Sequence, residues 1–147
     1  MQPERAVLKM KEGNYVTIRL KNNKTPELVA VDRQDGPAVL IERRVVDQRK
    51  QMAFCFEIEQ TYYLVKVDQA KLKMEMASEI VFSDCHWFVK EDVGGGDHYA
   101  LQSVAEPGKY LQKIKNRQGY IFILSADITN SATVTDKTIE GSTSNSA

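Results

Sequence analysis

Hydrophobic residues along this chain recur mostly at every second position, in short runs separated by polar or Gly- and Pro-containing breaks. The clearest run places Met52, Phe54, Phe56 and Ile58 on one face and Ala53, Cys55, Glu57 and Glu59 on the other. Successive side chains of a strand point to opposite faces, so period two predicts a strand with one buried side. Tyr63, Val65 and Val67 alternate in the same way. So do Leu72, Met74 and Met76 against Lys71, Lys73 and Glu75, a set that a helix would smear around its surface. From the N-terminus, Ala6-Val7-Leu8-Lys9-Met10, Tyr15-Val16-Thr17-Ile18-Arg19-Leu20 and Leu28-Val29-Ala30-Val31 are rich in β-branched and aliphatic residues and predict three more strands. Residues 21–26 form a polar break, Asp35-Gly36-Pro37 a turn, 38–46 an extended or mixed stretch and 47–51 a charged loop. Cys85, Trp87 and Val89 predict a strand before Gly94-Gly95-Gly96-Asp97, Gly119-Tyr120-Ile121-Phe122-Ile123-Leu124 an apolar one, and residues 132–139 a weaker last one.

In residues 98–112, the runs Tyr99/Leu101/Ser103 and Tyr110/Leu111 flank Glu106-Pro107-Gly108. Proline offers no ladder donor and glycine accepts the positive φ of a tight turn, so this segment predicts a β-hairpin. The alternation assigns Phe54, Phe56, Ile58, Val65, Leu72, Met74, Leu101, Leu111, Ile121 and Ile123 to one core, with Trp87 buried and Ser103 and Tyr110 facing inward. Tyr62, Phe88 and Tyr120 fall on the opposite faces, under loops or as interface anchors. About twelve short strands predict an all-β barrel or sandwich. Three segments share an aromatic-led strand, a polar connection and an aliphatic strand: Tyr15 to Val29, Tyr63 to Met74, and Tyr99 to Leu111. Their separations are unequal, so the repeat is weak by itself.

Composition narrows this further. The 147 residues are 42% hydrophobic, enough for one core, and read as a single domain over 1–139 followed by a Ser/Gly/Asn-rich tail, 140–147, expected to be disordered. Twenty basic and twenty acidic residues cancel, which argues against a dedicated nucleic-acid binder and leaves room for a local basic face. Pro3, Glu4, Arg5, Lys9, Lys11 and Glu12 interrupt any secretory-signal layout, and no apolar run approaches a membrane span. Cys55 and Cys85 lie in apolar runs and are expected as buried, reduced, slowly reacting thiols, with a bridge between them as the lesser alternative.

Candidate chemistry is sparse. There is no Gly-x-Ser-x-Gly elbow, and Ser103 has no flanking glycine. His86 and His98 lack spaced metal-ligand partners, and a strand would send adjacent Cys85 and His86 to opposite faces. No enzyme, metal or cofactor is therefore expected. Gly94-Gly95-Gly96-Asp97 leads into a strand, so it predicts a flexible loop, with receptor contact as its functional alternative, rather than a phosphate loop. The charge runs Glu42-Arg43-Arg44…Asp47-Gln48-Arg49-Lys50 and Lys109…Lys113-Ile114-Lys115-Asn116-Arg117 predict solvated strand edges, an interface rim or a basic patch. Asn23-Lys24-Thr25 matches the glycosylation pattern but is discounted without an export signal.

Leu101-x-Ser103-x-x-x-Pro107-x-x-Tyr110-Leu111, with Ile121 further on, resembles the signature of the interleukin-1 family of cytokines, aromatic-x-Ser-x-x-x-Pro-x-x-aromatic-aliphatic. Trp87-Phe88-Val89-Lys90 and the Gly-rich loop sit where the family has an aromatic strand and a loop. Leu28-Val29-Ala30…Gly36-Pro37…Glu42 resembles the early part of the family's receptor-antagonist branch. The chain departs at Leu101, where the family has Phe, at Lys109, where Trp is common, at Gln112, where a small residue is usual, and over 133–139, which lack the closing aromatic. The resemblance implies a β-trefoil: about twelve strands in three pseudo-repeats closing a capped barrel. It also implies a monomeric ligand for an immunoglobulin-like receptor ectodomain, with an accessory receptor chain recruited to the complex. It would leave the cell without a signal peptide from a cytoplasmic pool, binding no nucleic acid and inserting in no membrane. The alternatives are an intracellular β-trefoil scaffold and a heparin-binding growth-factor-like trefoil. Loop position and charge nominate Asp32, Arg33, Gln34, Asp47, Arg49, Lys50, Glu91, Asp92 and Asp97 as receptor-facing. Leu101, Ser103, Pro107, Tyr110, Leu111 and Ile121 are structural signature residues.

Overall fold

The computed structural model describes residues 3–22, 24–93 and 96–139; the predicted tail lies outside them. Among the described residues the regular structure is almost entirely strand: β1 (Glu4–Met10), β2 (Tyr15–Lys21), β3 (Thr25–Val31), β4 (Val39–Val46), β5 (Arg49–Ile58), β6 (Thr61–Asp68), β7 (Lys71–Ala77), β8 (Phe88–Asp92), β9 (Tyr99–Ser103), β10 (Tyr110–Asn116), β11 (Gly119–Ser125) and β12 (Val134–Thr138). Short 3-10 turns at Asp84–His86 and Ile128–Asn130 interrupt it. The twelve strands form one antiparallel sheet that closes on itself. Its shortest closed circuit is β1-β4-β5-β8-β9-β12, with β12 returning to β1. A wider circuit of nine strands replaces β12 by β2, β3, β11 and β10, leaving β6, β7 and β12 outside it. The remaining hairpin, β6–β7, extends from β5, and β7 packs beside β3 and β11. Closure leaves fewer unpaired edges, which is how small antiparallel sheets avoid pairing with other chains.

Three successive hairpins are joined by two residues each: Asp47-Gln48, Glu59-Gln60 and Gln69-Ala70. All six residues have positive φ, between 50° and 68°, the geometry of the twist-matched two-residue turn. The predicted charged loop over 47–51 is thus only Asp47-Gln48, with Arg49, Lys50 and buried Gln51 already in β5. The polar break before β3 is likewise shorter than predicted, because β2 and β3 pair out to Lys21 and Thr25.

The core lies inside the circuit, with Phe54, Phe56, Phe88, Leu8, Ile41, Met52, Leu101 and Leu111 fully buried. Phe54 meets Phe56 edge-on at 6.3 Å and Phe88 at 5.8 Å. Ile58, Leu72 and Met74 pack partly buried against this cluster, and Val65 belongs to it. Two core assignments fall on the wrong parity. In β11 the inward residues are Tyr120, Phe122 and Leu124, with Ile121 and Ile123 half-buried on the other face. That strand is apolar at every position from Tyr120 to Leu124, so periodicity cannot choose a face. Pairing chooses it, by setting Tyr120 opposite core residue Ala30 and Leu124 opposite Leu111. Phe88, predicted to face away, is in the core because the 3-10 turn at Asp84–His86 ends the alternation read through Cys85 and Trp87. Trp87 is buried apart from the main cluster, against the Phe82 ring.

The predicted hairpin between β9 and β10 pairs at one position, Tyr110 with Gln102. Its connection is held by Ser103, whose buried hydroxyl accepts the Glu106 N–H at 3.0 Å and whose N–H donates to the Lys109 carbonyl at 2.9 Å. Pro107 is exposed, and Gly108 takes φ +88°, which a side chain would strain. Tyr110 is half-buried outside the core, because its neighbour Leu111 takes the inward position. Both cysteines are free. Burial pushes the Cys55 thiol up to about 12, with Glu57 and Glu42 adding to it. Cys85 is partly exposed, contrary to expectation, because it sits in the 3-10 turn. There its sulfur lies 3.8 Å from His86 Nδ1, so the two neighbours do not face apart. His86 Nδ1 accepts the Ser83 N–H at 2.9 Å, leaving its ring proton on Nε2 to donate to Glu75 Oε1 at 2.7 Å.

Candidate functional site at the polar mouth of the strand ring

On each strand of the six-strand circuit the inward alternation ends in a polar group. Glu4 precedes Ala6 and Leu8 on β1, Arg43 follows Val39 and Ile41 on β4, and Lys50 precedes Met52 and Phe54 on β5. Lys90 follows Phe88 on β8, Tyr99 precedes Leu101 on β9, and Asp136 follows Val134 on β12. Antiparallel pairing brings these ends to the same mouth of the ring. Arg43 Nε donates to Glu4 Oε1 at 3.1 Å, and its Nη2 bonds Asp136 Oδ2. The Tyr99 hydroxyl donates to Asp136 Oδ1, and Lys90 Nζ lies 3.9 Å from the same oxygen and 4.2 Å from the Tyr99 ring centroid.

Charge taken out of water needs partners, and here Glu4, Arg43, Lys90, Tyr99 and Asp136 supply one another's. Asp136, with its side chain 11% exposed, is the hub. Burial alone would raise its pKa, but the Tyr99 and Arg43 hydrogen bonds and the Arg43 and Lys90 charges hold it below the usual carboxylate range. Burial and the Asp136 charge push the Tyr99 phenol up. Lys90 moves down, by burial first and then by repulsion from Arg43 and Lys50, with Asp136 opposing. The arrangement gives a fixed, mostly cationic end to an otherwise apolar barrel.

Two clefts open over this mouth. One, of about 390 Å³, is lined by Arg43, Arg44, Val45, Lys50, Gln51 and Lys90. The other, of about 450 Å³, lies between the tip of the β4–β5 hairpin and the β8–β9 connection and shares Lys50 and Lys90 with the first. Most residues nominated from sequence meet here. Asp47 is exposed at the hairpin tip, and Lys50, Asp92 and Asp97 border the clefts with Arg49. Arg49 bonds Glu91 at 2.6 Å, and Gln102 donates to the same carboxylate. Asp32, Arg33 and Gln34 are placed differently, in the connection between β3 and β4. Asp32 accepts from Asn14 Nδ2 at 2.8 Å, Arg33 lies beside Thr17 and Arg19, and Gln34 borders a small cleft with Tyr15. Their contacts lead toward β1 and β2, not toward the Arg49 group. The mouth residues Glu4, Arg43, Lys90, Tyr99 and Asp136 were absent from the nominations. Each stands two positions beyond a core residue of its own strand, a signal that carrying the alternation past the last apolar side chain picks up on every strand but β12, where the alternation is weak.

No family model and no curated protein matches the sequence. Solved structures do match over nearly the whole chain. An interleukin-1β variant from Gallus is 15% identical with a TM-score of 0.67, covering 93% of this chain and 97% of its own. A chicken interleukin-1 hydrophobic-cavity mutant, at 14% identity, gives the same score and coverage. The water-soluble chlorophyll protein of Brassica oleracea var. Botrytis, solved with chlorophyll b, is 10% identical with a TM-score of 0.65, covering 95% of this chain and 94% of its own. At these identities the likeness is one of fold. It joins a cytokine and a pigment-binding protein to the same all-β architecture.

Proposed function

We propose that the chain is a β-trefoil cytokine-like ligand of the interleukin-1 type, which binds an immunoglobulin-like receptor ectodomain and performs no chemistry of its own. The observation that carries this reading is a near full-length fold likeness to interleukin-1β combined with the Leu101-Ser103-Pro107-Tyr110-Leu111 pattern. In this fold Ser103, Leu101 and Leu111 are committed to the turn and the core, which accounts for the signature as structural. The receptor face would then be the hairpin tip and β8–β9 connection. Val45 and Val46 are 67% and 38% exposed there, apolar centres within the charged rim of Asp47, Arg49, Lys50 and Asp97. Exposed hydrophobics ringed by charge match the layout of a protein interface.

The test is association with immobilised immunoglobulin-like ectodomains, followed in real time at two salt concentrations. One ectodomain is expected to bind. Arg49→Glu, which sets two carboxylates side by side against Glu91, should lower its on-rate and alter its salt dependence more than its off-rate. Absence of binding across the ectodomains, or binding indifferent to reversals at Arg49, Lys50 and Asp97, would overturn the reading or this face respectively.

A further inference from the structure

Lys50 and Lys90 face each other across a strand pair. The β5–β8 register sets Gln51 opposite Val89 and Met52 opposite Phe88, so the next rung toward the mouth puts Lys50 against Lys90. Like charges on one rung repel. Neither lysine has a hydrogen-bonded counter-ion among the described residues. Asp136 turns Oδ2 to Arg43 and Oδ1 to the Tyr99 hydroxyl, and Lys90 Nζ stands 3.9 Å from Oδ1, beyond hydrogen-bond reach. Lys50 has no ion-pair partner among the described residues. The Lys90 side chain is 23% exposed, with its ammonium 4.2 Å over the Tyr99 ring, and it borders both clefts. On the inward parity the 390 Å³ cleft is bordered by Arg43, Val45, Lys50 and Lys90, with no carboxylate, whereas Asp92 and Asp97 border the other.

A lysine placed beside other cations is a better nucleophile than one in water. Burial first, and then the Arg43 and Lys50 charges, lower the proton affinity of Lys90 against the pull of Asp136, so more of it stands as free amine. We propose that Lys90 is a nucleophilic lysine that holds a small oxo acid as an imine, with Lys50 on the ligand's carboxylate. The amine lone pair adds to the carbonyl carbon and one N–H proton passes to the oxygen. The remaining N–H proton then leaves with that hydroxyl as water, and nothing is oxidised or reduced. A neutral imine removes one of three crowded positive charges, and the carboxylate offsets another. Val45 gives the ligand's carbon skeleton an apolar wall, and the volume suits a small molecule. The adduct is a bound ligand without turnover. It stands apart from the receptor reading, since it forms and is detected on the protein alone.

The experiment is reductive labelling of the whole chain with glyoxylate and cyanoborohydride at neutral pH, read site by site by peptide mass spectrometry. The reductant fixes each imine as a carboxymethyl amine. Lys90 is expected to label severalfold faster than exposed lysines such as Lys115 on β10. Lys50→Gln should slow labelling at Lys90 about tenfold, the loss of one charged hydrogen bond. Lys50→Arg, which keeps the charge, should restore much of that rate. Acetaldehyde, which has no carboxylate, should be slowed less by Lys50→Gln, and Lys115→Gln should change nothing at Lys90. Labelling spread evenly over the exposed lysines, or faster at Lys50 than at Lys90, would overturn the site. So would Lys50→Gln leaving the glyoxylate rate at Lys90 untouched, or slowing both aldehydes alike. Should Lys50→Gln lose its amide dispersion, the native protein still decides. Its preference for glyoxylate over acetaldehyde should be greater at Lys90 than at Lys115, and an equal preference would remove the carboxylate contact.

Discussion

Asp136 receives hydrogen bonds from Tyr99 and Arg43 and faces Lys90 as well, so one carboxylate joins β4, β8, β9 and β12. Replacing it by Asn leaves half-buried Arg43 and Lys90 facing a neutral amide and should cost about 2–3 kcal/mol at neutral pH. Its folded pKa lies below the unfolded value of about 4, so its stabilisation is complete above that value and is lost as pH falls through the folded one. The difference in urea midpoint between native protein and Asp136→Asn should therefore shrink steadily below about pH 4; a constant difference would remove the carboxylate from the account. The sequence did not single out this network. Glu4, Arg43 and Lys90 stand in charged runs, and a run of charges reads as solvated surface unless the strand's parity is carried through it. Asp136 lies in a stretch with no aromatic and weak alternation, where nothing marks which face is inward.

The hairpins that order the middle of the chain are made from unusual turn residues. Glu59 and Gln60 both sit at positive φ, where a side chain costs roughly 1 kcal/mol or more that Gly avoids. Exchanging the pair for Asn-Gly should raise stability by about 1–2 kcal/mol, measured as a shift in denaturation midpoint without change in slope. An unchanged or lowered midpoint would mean that these side chains hold the turn in some other way. The strands flanking this turn were legible because their alternation is regular; the turn itself was not, because none of the usual Asn-Gly or Asp-Gly pairs marks it. In β11 the ambiguity ran the other way. Every position from Tyr120 to Leu124 is apolar, and only the pairing partner decides that Phe122, 6% exposed, faces the core. Phe122→Ala should accordingly cost about 3–5 kcal/mol. Ile121→Ala, on the half-buried face, should cost less; the opposite order in thermal or urea melts would restore the sequence-derived parity.

At the scale of the molecule, the number of strands and the all-β class were legible from local pattern. The closure was not, since β1 and β12 are paired from opposite ends of the described chain and no local rule selects that partner. Their geometry has a mechanical consequence. Ala6 faces Thr138 and Met10 faces Val134, and the Ile139 N–H donates to the Arg5 carbonyl at 3.0 Å. The outer ends of the two strands therefore lie side by side. A force applied through residues 3 and 139 acts across the strands at that one end and loads a single rung of the ladder at a time. The ring should then peel open like a zipper at low force. Gripped instead at Lys11 and Ile139, the same two strands are drawn along their length in opposite directions, and every rung bears the load together. Single-molecule stretching should give a clearly higher rupture force in the second geometry. Equal forces in the two would mean that another part of the barrel gives way first.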